Sequence, residues 1–342
     1  MALLRVTSPH AHGPASTQRV MQKVLLATIP GVVVMTHFFG FGTIVNLIWA
    51  CIVALGCEAL ALKLRKRPIL PYLNDYSALV TATLLAISLP PYSPWWLIAV
   101  GVTCSILLAK HLYGGLGYNP FNPAMVGYVV LLISFPIQMT SWAPPRGLEQ
   151  VPTLFDAFKA CFWPVAYDGV TMATPLDVLK QNNSQLIEDL YRTTPQFGSM
   201  AGVGWEWVNL AFLLGGAWLL YQRVFTWHAP VAMLIALALL AAIFYDGGSS
   251  ASAGSPLFHL LSGATMFGAF FIVTDPVTSA VSVRGRLVYG AMIGVLLYTI
   301  RVRGNYPDAV AFAVLIMNFA APFIDNYTRP RTYGHAGGGS KG

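Results

Sequence analysis

Charged residues are scarce in this chain. Asp, Glu, Lys and Arg make up 10% of its 342 residues, whereas hydrophobic residues make up 56%. Soluble domains usually carry about 25% charged residues, so this composition excludes an ordinary soluble domain and indicates a polytopic membrane protein. The long apolar runs also lack the alternation of polar and apolar residues that is typical of membrane β-barrels, which leaves an all-α protein.

Cysteines and nucleotide-binding motifs are scarce as well. The four cysteines form no C-x-x-C pair, and three of them lie in predicted helices, so we interpret them as small buried hydrophobic residues rather than metal ligands. The sequence contains neither a glycine-rich phosphate loop nor a dinucleotide-binding fingerprint. We therefore predict no catalytic dehydrogenase site and no metal site in this chain.

Long apolar segments, in contrast, are abundant. Crossing a bilayer as a helix takes about 20 mostly apolar residues. We count ten candidate segments, of which the third, fifth and eighth are short, and proline-containing turns after the third and eighth indicate broken helices. The ten segments span residues 21–39, 42–62, 76–90, 95–112, 124–138, 205–222, 229–245, 257–273, 287–301 and 307–324.

The net charge of +7 raises the possibility of nucleic-acid binding. However, the Lys and Arg residues concentrate in alternate loops, as the positive-inside rule requires of a membrane protein. We therefore expect a lipid bilayer and no nucleic acid as partner, with both termini in the cytoplasm. Arg301 and Arg303 fall on the opposite side and are exceptions to the rule.

The two apolar halves suggest an internal repeat. "TATLLAISLPPYS" at 81–93 resembles "GATMFGAFFIVTDPVTS" at 263–279, and "GYNPFNPAMVGYVVLLISFP" at 117–136 resembles "GNYPDAVAFAVLIMNFAAP" at 304–322. Five helices in each half would give the repeats opposite orientations, and inverted repeats with broken helices commonly build binding sites near the midplane. We predict a cytoplasmic tail, a first repeat, an external cap of short helices, a second repeat and a second cytoplasmic tail, at 1–20, 21–138, 139–204, 205–325 and 326–342.

One polar stretch within the cap, "DGVTMATPLDVLKQ" at 168–181, has two interpretations. Thr174 precedes Pro175, with Asp177 in the first turn that follows, and this pattern is typical of a helix N-cap. Free backbone N–H groups at a helix start also suit a phosphate, so a phosphate esterified to the Thr174 hydroxyl would fit the same geometry.

The same stretch resembles a known attachment motif. Asp168, Thr171, Ala173 and Thr174 match Asp-x-x-(Ser/Thr)-Gly-Ala-Thr, on which a flavin transferase places FMN through a phosphoester, although Met172 replaces the glycine. The resemblance implies that Thr174 carries the FMN and that Asp168, Thr171 and Ala173 belong to the attachment loop.

A second tetrapeptide, "SGAT" at 262–265, matches the end of that motif fully. We still favour Thr174, because His259 stands where the motif has Asp and because Thr265 lies within an apolar helix that a transferase could not reach. Small residues such as these commonly allow close packing between membrane helices.

The resemblance extends over nearly the whole chain. The strings "FHLLSGATMFGAFFIVTDPVTSAVS" and "RVRGNYPDAVAFAVLIMNFAAPFIDNYTRPRTYGH" are similar to the NqrB/RnfD family, whose members are membrane subunits of the Rnf electron-transport complex and, more distantly, of the sodium-pumping NADH:quinone reductase. The resemblance implies an inner-membrane flavoprotein that relays electrons between NADH and ferredoxin, coupled to Na⁺ or H⁺ translocation. It also implies covalent FMN, a non-covalent riboflavin within the bundle, the Rnf proteins RnfA, RnfB, RnfC, RnfE and RnfG as partners, a flavin transferase for maturation and a periplasmic flavin loop.

Four further polar residues are candidates for intramembrane contacts. Glu58 falls in the second segment, where a carboxylate is expensive and is usually functional or paired; the alternative is a shifted helix that places it beside the Lys63–Arg67 cluster. Asp275, Asp308 and Asn122 lie at helix ends, where they either cap the backbone or contact a ligand or cation.

A different class of function remains open from the residues alone. A secondary transporter or channel for a small solute would show the same broken helices and inverted repeats. The discriminating feature is the 168–174 stretch, for which a solute channel has no need.

Overall fold

The computed structural model describes residues 16–163, 171–182, 184–250, 252–304, 306 and 309–328. Within these ranges the chain is helical and contains no β-strand. The all-α class predicted from composition is therefore confirmed for the described residues.

The first half contains two long helices followed by shorter ones. Helices α1 and α2 occupy Thr17–Phe39 and Gly42–Leu64, and a short turn of helix, α3, follows at Ile69–Leu73. After it come α4 (Ser77–Ser88), α5 (Trp95–Thr103, continued by π-helical turns over Cys104–His111), α6 (Pro123–Ser134) and α7 (Pro136–Thr140).

The second half has its longest helices at its end. Helices α11 and α12 occupy Trp205–Tyr221 and His228–Ile243, and a broken helix follows as α13 (Pro256–Leu261) and α14 (Thr265–Phe267, continued by π-helical turns over Gly268–Ile272). Two long helices, α15 (Val283–Arg303) and α16 (Val310–Thr328), complete the half.

A helix, whole or broken, lies at each of the ten predicted apolar segments. Four of them, α1, α2, α15 and α16, are long and apolar enough to cross a membrane, and shorter apolar helices accompany them. The chain is therefore a multi-pass membrane protein, whereas the count of ten crossings and the inverted relation of the halves stay predictions.

The breaks have local causes. The predicted third segment ends as α4 at Ser88, before the two consecutive prolines Pro90 and Pro91. The eighth is interrupted at Ser262–Ala264, where Gly263 has a positive φ of 58° that helix continuation does not allow. The break after Ser88 agrees with the sequence-based prediction. In the eighth segment the prediction placed the break at the proline turn that follows it, and the earlier break at Ser262–Ala264 was not predicted.

Three short helices lie within residues 139–204, as predicted for the cap. Helix α8 (Leu154–Phe162) contacts α2, where Phe162 and Trp49 meet edge to face with ring centroids 5.2 Å apart. Helices α9 (Pro175–Gln181) and α10 (Ile187–Thr193) form a separate small apolar core with the start of the broken helix, through Leu176, Leu179, Ile187, Leu190, Phe197, Ala201, Phe258 and Leu261.

Small residues let the membrane helices approach closely. Helices α12 and α15 form the most extensive helix–helix interface of the described chain, and a Cβ added at Gly290 of α15 would overlap the carbonyl oxygen of Ala229 in α12. Likewise, a Cβ added at Gly215 of α11 would overlap the carbonyl oxygen of Ala27 in α1. Such contacts replace the hydrophobic effect as the source of helix association in lipid.

We expect Gly290→Leu to lower the stability of the protein by about 1–3 kcal/mol, because the added side chain forces α12 and α15 apart. The measurement is unfolding of the purified protein in detergent. Gly56→Leu is the matched control, since a Cβ at Gly56 meets no atom within 4 Å. An equal effect of the two substitutions would contradict close α12–α15 packing.

Candidate functional site

Thr174 caps the N-terminus of α9 through reciprocal hydrogen bonds with Asp177. Its Oγ1 donates to Asp177 Oδ2 at 2.6 Å, its backbone N–H donates to the same oxygen at 3.1 Å, and Asp177 N–H donates back to Oγ1 at 3.3 Å. The predicted N-cap is therefore confirmed. The side chain of Thr174 is half-buried, with its hydroxyl proton held by a carboxylate.

The residues before Thr174 form an extended segment. Thr171 and Ala173 are exposed, and Met172 N–H donates to the carbonyl oxygen of Trp142 at 2.8 Å. Met172 is not among the residues with positive φ, so the backbone at this position does not require the glycine of the attachment motif. Asp168 lies outside the described residues.

Thr174 lines a cavity between the two halves of the chain. The cavity is open on one side and has a volume of about 1020 Å³ when the space at its mouth is included, and helices from both halves contribute to its wall. Its lining is mainly apolar and aromatic, and the indole rings of Trp142 and Trp205 meet edge to face at 4.9 Å. The main contributors are Met35, Ile87, Ser88, Met125, Tyr128, Leu132, Met139, Trp142, Thr174, Asp177, Trp205, Phe212, Ser262, Gly263, Ala264, Phe267 and Val310.

Thr174 also borders a smaller recess of about 240 Å³. Met172, Ala173 and Gln196 line this recess, and Gln196 Oε1 is buried without a hydrogen-bond partner. Thr174 therefore lies between the large apolar cavity and the small recess that contains the Gln196 side chain.

The end of α9 is tied to the second half of the chain. Lys180 Nζ donates to the carbonyl oxygen of Tyr306 at 3.2 Å. Partial burial lowers the pKa of the Lys180 ammonium from its ordinary value, and the negative charge of Asp177 opposes this shift.

Thr265 has a different environment. It is fully buried, and its Oγ1 donates to the carbonyl oxygens of His259 and Ser262, at 2.9 Å each. The sequence placed Thr265 in the interior of a helix, whereas the structure places it at the first residue of α14, directly after the break. Its hydroxyl satisfies backbone groups that the break exposes.

The break is held by two residues that sequence reasoning did not select. Asn209 of α11 donates from Nδ2 to the carbonyl oxygens of Leu261 and Gly263, at 3.0 Å each, and accepts from Met266 N–H. Arg301 of α15 donates to the carbonyl oxygens of His259 and Ser262. Arg301 is buried, which explains why it departs from the positive-inside rule: it acts within the bundle and not as a loop charge.

Glu58 is buried in α2 and paired. Its carboxylate lies 2.8 and 2.9 Å from Lys110 Nζ and 3.0 Å from His111 Nε2, and Lys110 also donates to Ser77 Oγ at 2.8 Å. The alternative of a pair with the Lys63–Arg67 cluster is wrong, because the observed partners of Glu58 are Lys110 and His111. Both lie on the π-helical continuation of α5. Arg65 and Arg67 instead donate to the carbonyl oxygens of His111 and Gly114.

A second cavity lies beside this ion pair. It is also partly open, with a volume of about 860 Å³ including its mouth, and is lined by Lys110, Asn119, Asn122 and Asp275, among others. Asn122 caps α6 by accepting from Ala124 and Met125 N–H, and Asp275 accepts from Val277 N–H and Thr278 Oγ1, so the predicted capping roles are confirmed. Asn119 Oδ1 is buried and has no hydrogen-bond partner. Asp308 lies outside the described residues.

Comparison with known proteins places this architecture in a family. The model of the NQR2, RnfD, RnfE family matches residues 5–334. The chain belongs to this family. It is 60% identical over 341 residues to the RnfD protein of the ion-translocating oxidoreductase complex from Cellvibrio japonicus, covering 98% of this chain and 96% of the relative. Its identity to the proteins of the same description is 58% in Ectopseudomonas mendocina and 56% in Pseudomonas aeruginosa PAO1, covering 98% of this chain and 97% of each relative.

The family resemblance drawn from the tail of the sequence is therefore confirmed. Among the candidate residues, the structure brings Thr174 to the same cavity as Ser262 and Ala264, whereas Asn122 and Asp275 line the other cavity and Glu58 forms the ion pair beside it. The sequence held a signal for Asn209 and Arg301, since both are polar residues within apolar helical segments.

We expect Lys110→Met to lower stability by about 3–5 kcal/mol, because it removes the main partner of a buried carboxylate. Adding Glu58→Gln should recover most of this loss. A double-mutant cycle, followed by unfolding in detergent, measures the coupling. If the double variant were as unstable as the sum of the two single variants, the pair would make no net contribution.

Proposed function

We propose that this chain is the membrane subunit of an Rnf-type ion-translocating oxidoreductase complex and carries FMN through a phosphoester to Thr174. In this role it relays electrons between the NADH and ferredoxin sides of the complex, coupled to translocation of Na⁺ or H⁺. The observation that carries the proposal is the position of Thr174, whose hydroxyl-bearing side chain lines a large, aromatic cavity between the two halves.

The residues around Thr174 suit an FMN group. A planar, mostly apolar isoalloxazine ring suits a wall of Trp, Phe and Met side chains. The recess on the other side of Thr174 offers additional space beside the hydroxyl. When bound, the flavin would supply one- and two-electron redox chemistry, and the protein would supply position and electrostatic environment.

Asp177 engages the Thr174 hydroxyl in both directions. Its carboxylate accepts the Oγ1 proton at 2.6 Å, and its backbone N–H donates to Oγ1 at 3.3 Å. Esterification removes that proton, so the Oγ1–Asp177 bond has to break when the phosphate is attached. Thr265 supports the choice by contrast, because its hydroxyl is fully buried and already bonded to two carbonyl groups.

Covalent attachment has a physical advantage at such a site. A tether keeps the redox ring at a fixed distance from the next electron carrier and prevents its loss from a half-exposed loop. We propose that this loop faces the periplasm, where a flavin transferase reaches it, and that both termini lie in the cytoplasm. On this proposal, the protein partners are RnfA, RnfB, RnfC, RnfE and RnfG of the same complex.

We further propose that the second cavity holds the non-covalent riboflavin implied by the family resemblance. Its support is Asn119 Oδ1, a buried acceptor without a partner on the wall of an 860 Å³ space. The N–H groups of a flavin ring are suitable donors for that oxygen.

The attachment site is tested by in-gel ultraviolet fluorescence of the denatured protein after co-expression with the flavin transferase. We expect fluorescence in the chain without substitutions, in Thr174→Ser and in Thr265→Ala. We expect none in Thr174→Ala, which lacks the oxygen for the ester. Loss of the N-cap costs only about 1 kcal/mol, so the fold should survive.

Thr153→Ala is the matched control, because Thr153 makes the same capping box with Asp156 at 2.6 Å but does not line the cavity. Fluorescence that survives Thr174→Ala and disappears in Thr265→Ala would show the site to be wrong. If the chain without substitutions carried no flavin, the solute transporter or channel would be favoured.

The riboflavin site is tested by extracting the purified complex with acid and quantifying free riboflavin by chromatography. We expect Asn119→Ala to lose most of the riboflavin and to keep its covalent FMN. Asn46→Ala is the control: Asn46 Oδ1 is also buried without a partner, but it does not line this cavity. Equal retention of riboflavin in both variants would contradict the assignment.

A further inference from the structure

Ser262 is exceptional among the described residues that line the cavity beside Thr174. Its side chain is 1% exposed, and its Oγ has no hydrogen-bond partner. The other hydroxyls of known geometry on this wall are satisfied: Ser88 Oγ and Thr140 Oγ1 donate to the carbonyl oxygens of Leu84 and Pro136, at 2.8 and 2.9 Å, and Thr174 Oγ1 donates to Asp177.

The local backbone explains why Ser262 does not satisfy its own hydroxyl. A serine inside a helix can donate to the carbonyl group one turn earlier, as Ser88 does. Ser262 instead follows the end of α13 in an extended conformation, with φ −108° and ψ 151°. The break in the helix therefore turns the hydroxyl away from the helical carbonyl groups.

The position of Ser262 is also firmly fixed. Its carbonyl oxygen accepts from Arg301 Nη2 at 3.2 Å and from Thr265 Oγ1 at 2.9 Å, while Asn209 holds the carbonyl groups of the residues on either side. A buried hydroxyl without a partner is costly, so one that is held rigidly at a cavity wall indicates that a bound group completes its hydrogen bond.

We propose that Ser262 Oγ hydrogen-bonds the polar edge of the isoalloxazine ring of the flavin at Thr174; this inference rests on the proposed function. The pyrimidine edge of the ring carries carbonyl acceptors and N–H donors, and a hydroxyl can serve either. The remaining wall is largely apolar and aromatic and suits the dimethylbenzene part of the ring. Ser262 lies in the second half of the chain and Thr174 in the cap, so one flavin would contact both.

Such a bond has a defined effect on redox chemistry. Reduction adds electron density at the polar edge of the ring, and a hydrogen bond at a buried, mainly apolar wall is stronger than one in water. A hydroxyl at this edge therefore stabilises the reduced flavin more than the oxidised flavin. Removing it should make the midpoint potential more negative.

The test is a redox titration of the covalent FMN in the purified complex, with Ser262→Ala. We expect the preference for the reduced form to fall roughly three- to tenfold, which for a two-electron couple is a shift of about 15 to 30 mV to more negative potential. We also expect the infrared carbonyl bands of the ring to move to higher frequency. The near-isosteric Ser262→Cys keeps the volume and retains only a weak donor, so its shift should be in the same direction and smaller.

Ser88→Ala is the matched control, because Ser88 lines the same cavity but its hydroxyl is bonded within its own helix. Unchanged potentials and carbonyl bands in the Ser262 variants, or equal shifts in Ser88→Ala, would overturn the inference. If the Ser262→Ala protein does not accumulate, the midpoint potential and carbonyl bands of Ser262→Cys test the inference instead. In-gel fluorescence separates failure of the proposed function from failure of this inference. If the chain without substitutions carries no flavin, the proposed function is overturned. If flavin is present but its potential is unchanged in the Ser262 variants, only the role of Ser262 is overturned.

Discussion

The break in the eighth apolar segment imposes the constraint on which the rest of the structure depends. Interrupting a helix inside a membrane protein frees backbone carbonyl and N–H groups, and each must find a partner because lipid offers none. Asn209, Thr265 and Arg301 provide those partners from three different helices. Their hydrogen bonds join α11, α13, α14 and α15 into one rigid unit, and the turn at Ser262–Ala264 becomes a wall of the cavity.

The first half contains buried charges that also need partners. Glu58, Lys110 and His111 form a buried cluster between α2 and the π-helical end of α5, beside the cavity that contains Asn119. A buried ion pair contributes little net stability, because desolvating the two charges offsets most of their attraction, but it penalises any arrangement that separates the partners. The two cavities thus have different characters, one aromatic and one bordered by charges and amides.

Sequence reasoning located the ten helical segments, the proline break after Ser88, the cap helices and the N-cap at Thr174, because each depends on local apolar length, proline or capping chemistry. It missed the break at Ser262–Ala264, since the small residues there are equally typical of close helix packing. It did not pair Glu58 with Lys110 and His111, which lie more than fifty residues along the chain, since tertiary pairing is not encoded in local spacing. It also assigned Arg301 to a loop, because charge alone does not distinguish a loop residue from one that binds carbonyl groups inside a bundle. The meeting of Thr174 and Ser262 at one cavity depends on the packing of both halves.

The central claim is that a flavin phosphate is esterified to the hydroxyl of Thr174. Its most direct test is mass spectrometry of the tryptic peptide 160–180, which contains both Thr171 and Thr174 and ends at Lys180, from protein isolated from its native membrane. The account predicts that this peptide carries the added mass of FMN, with fragment ions placing it on Thr174. An unmodified peptide, or FMN found only on the peptide that contains Thr265, would contradict the account.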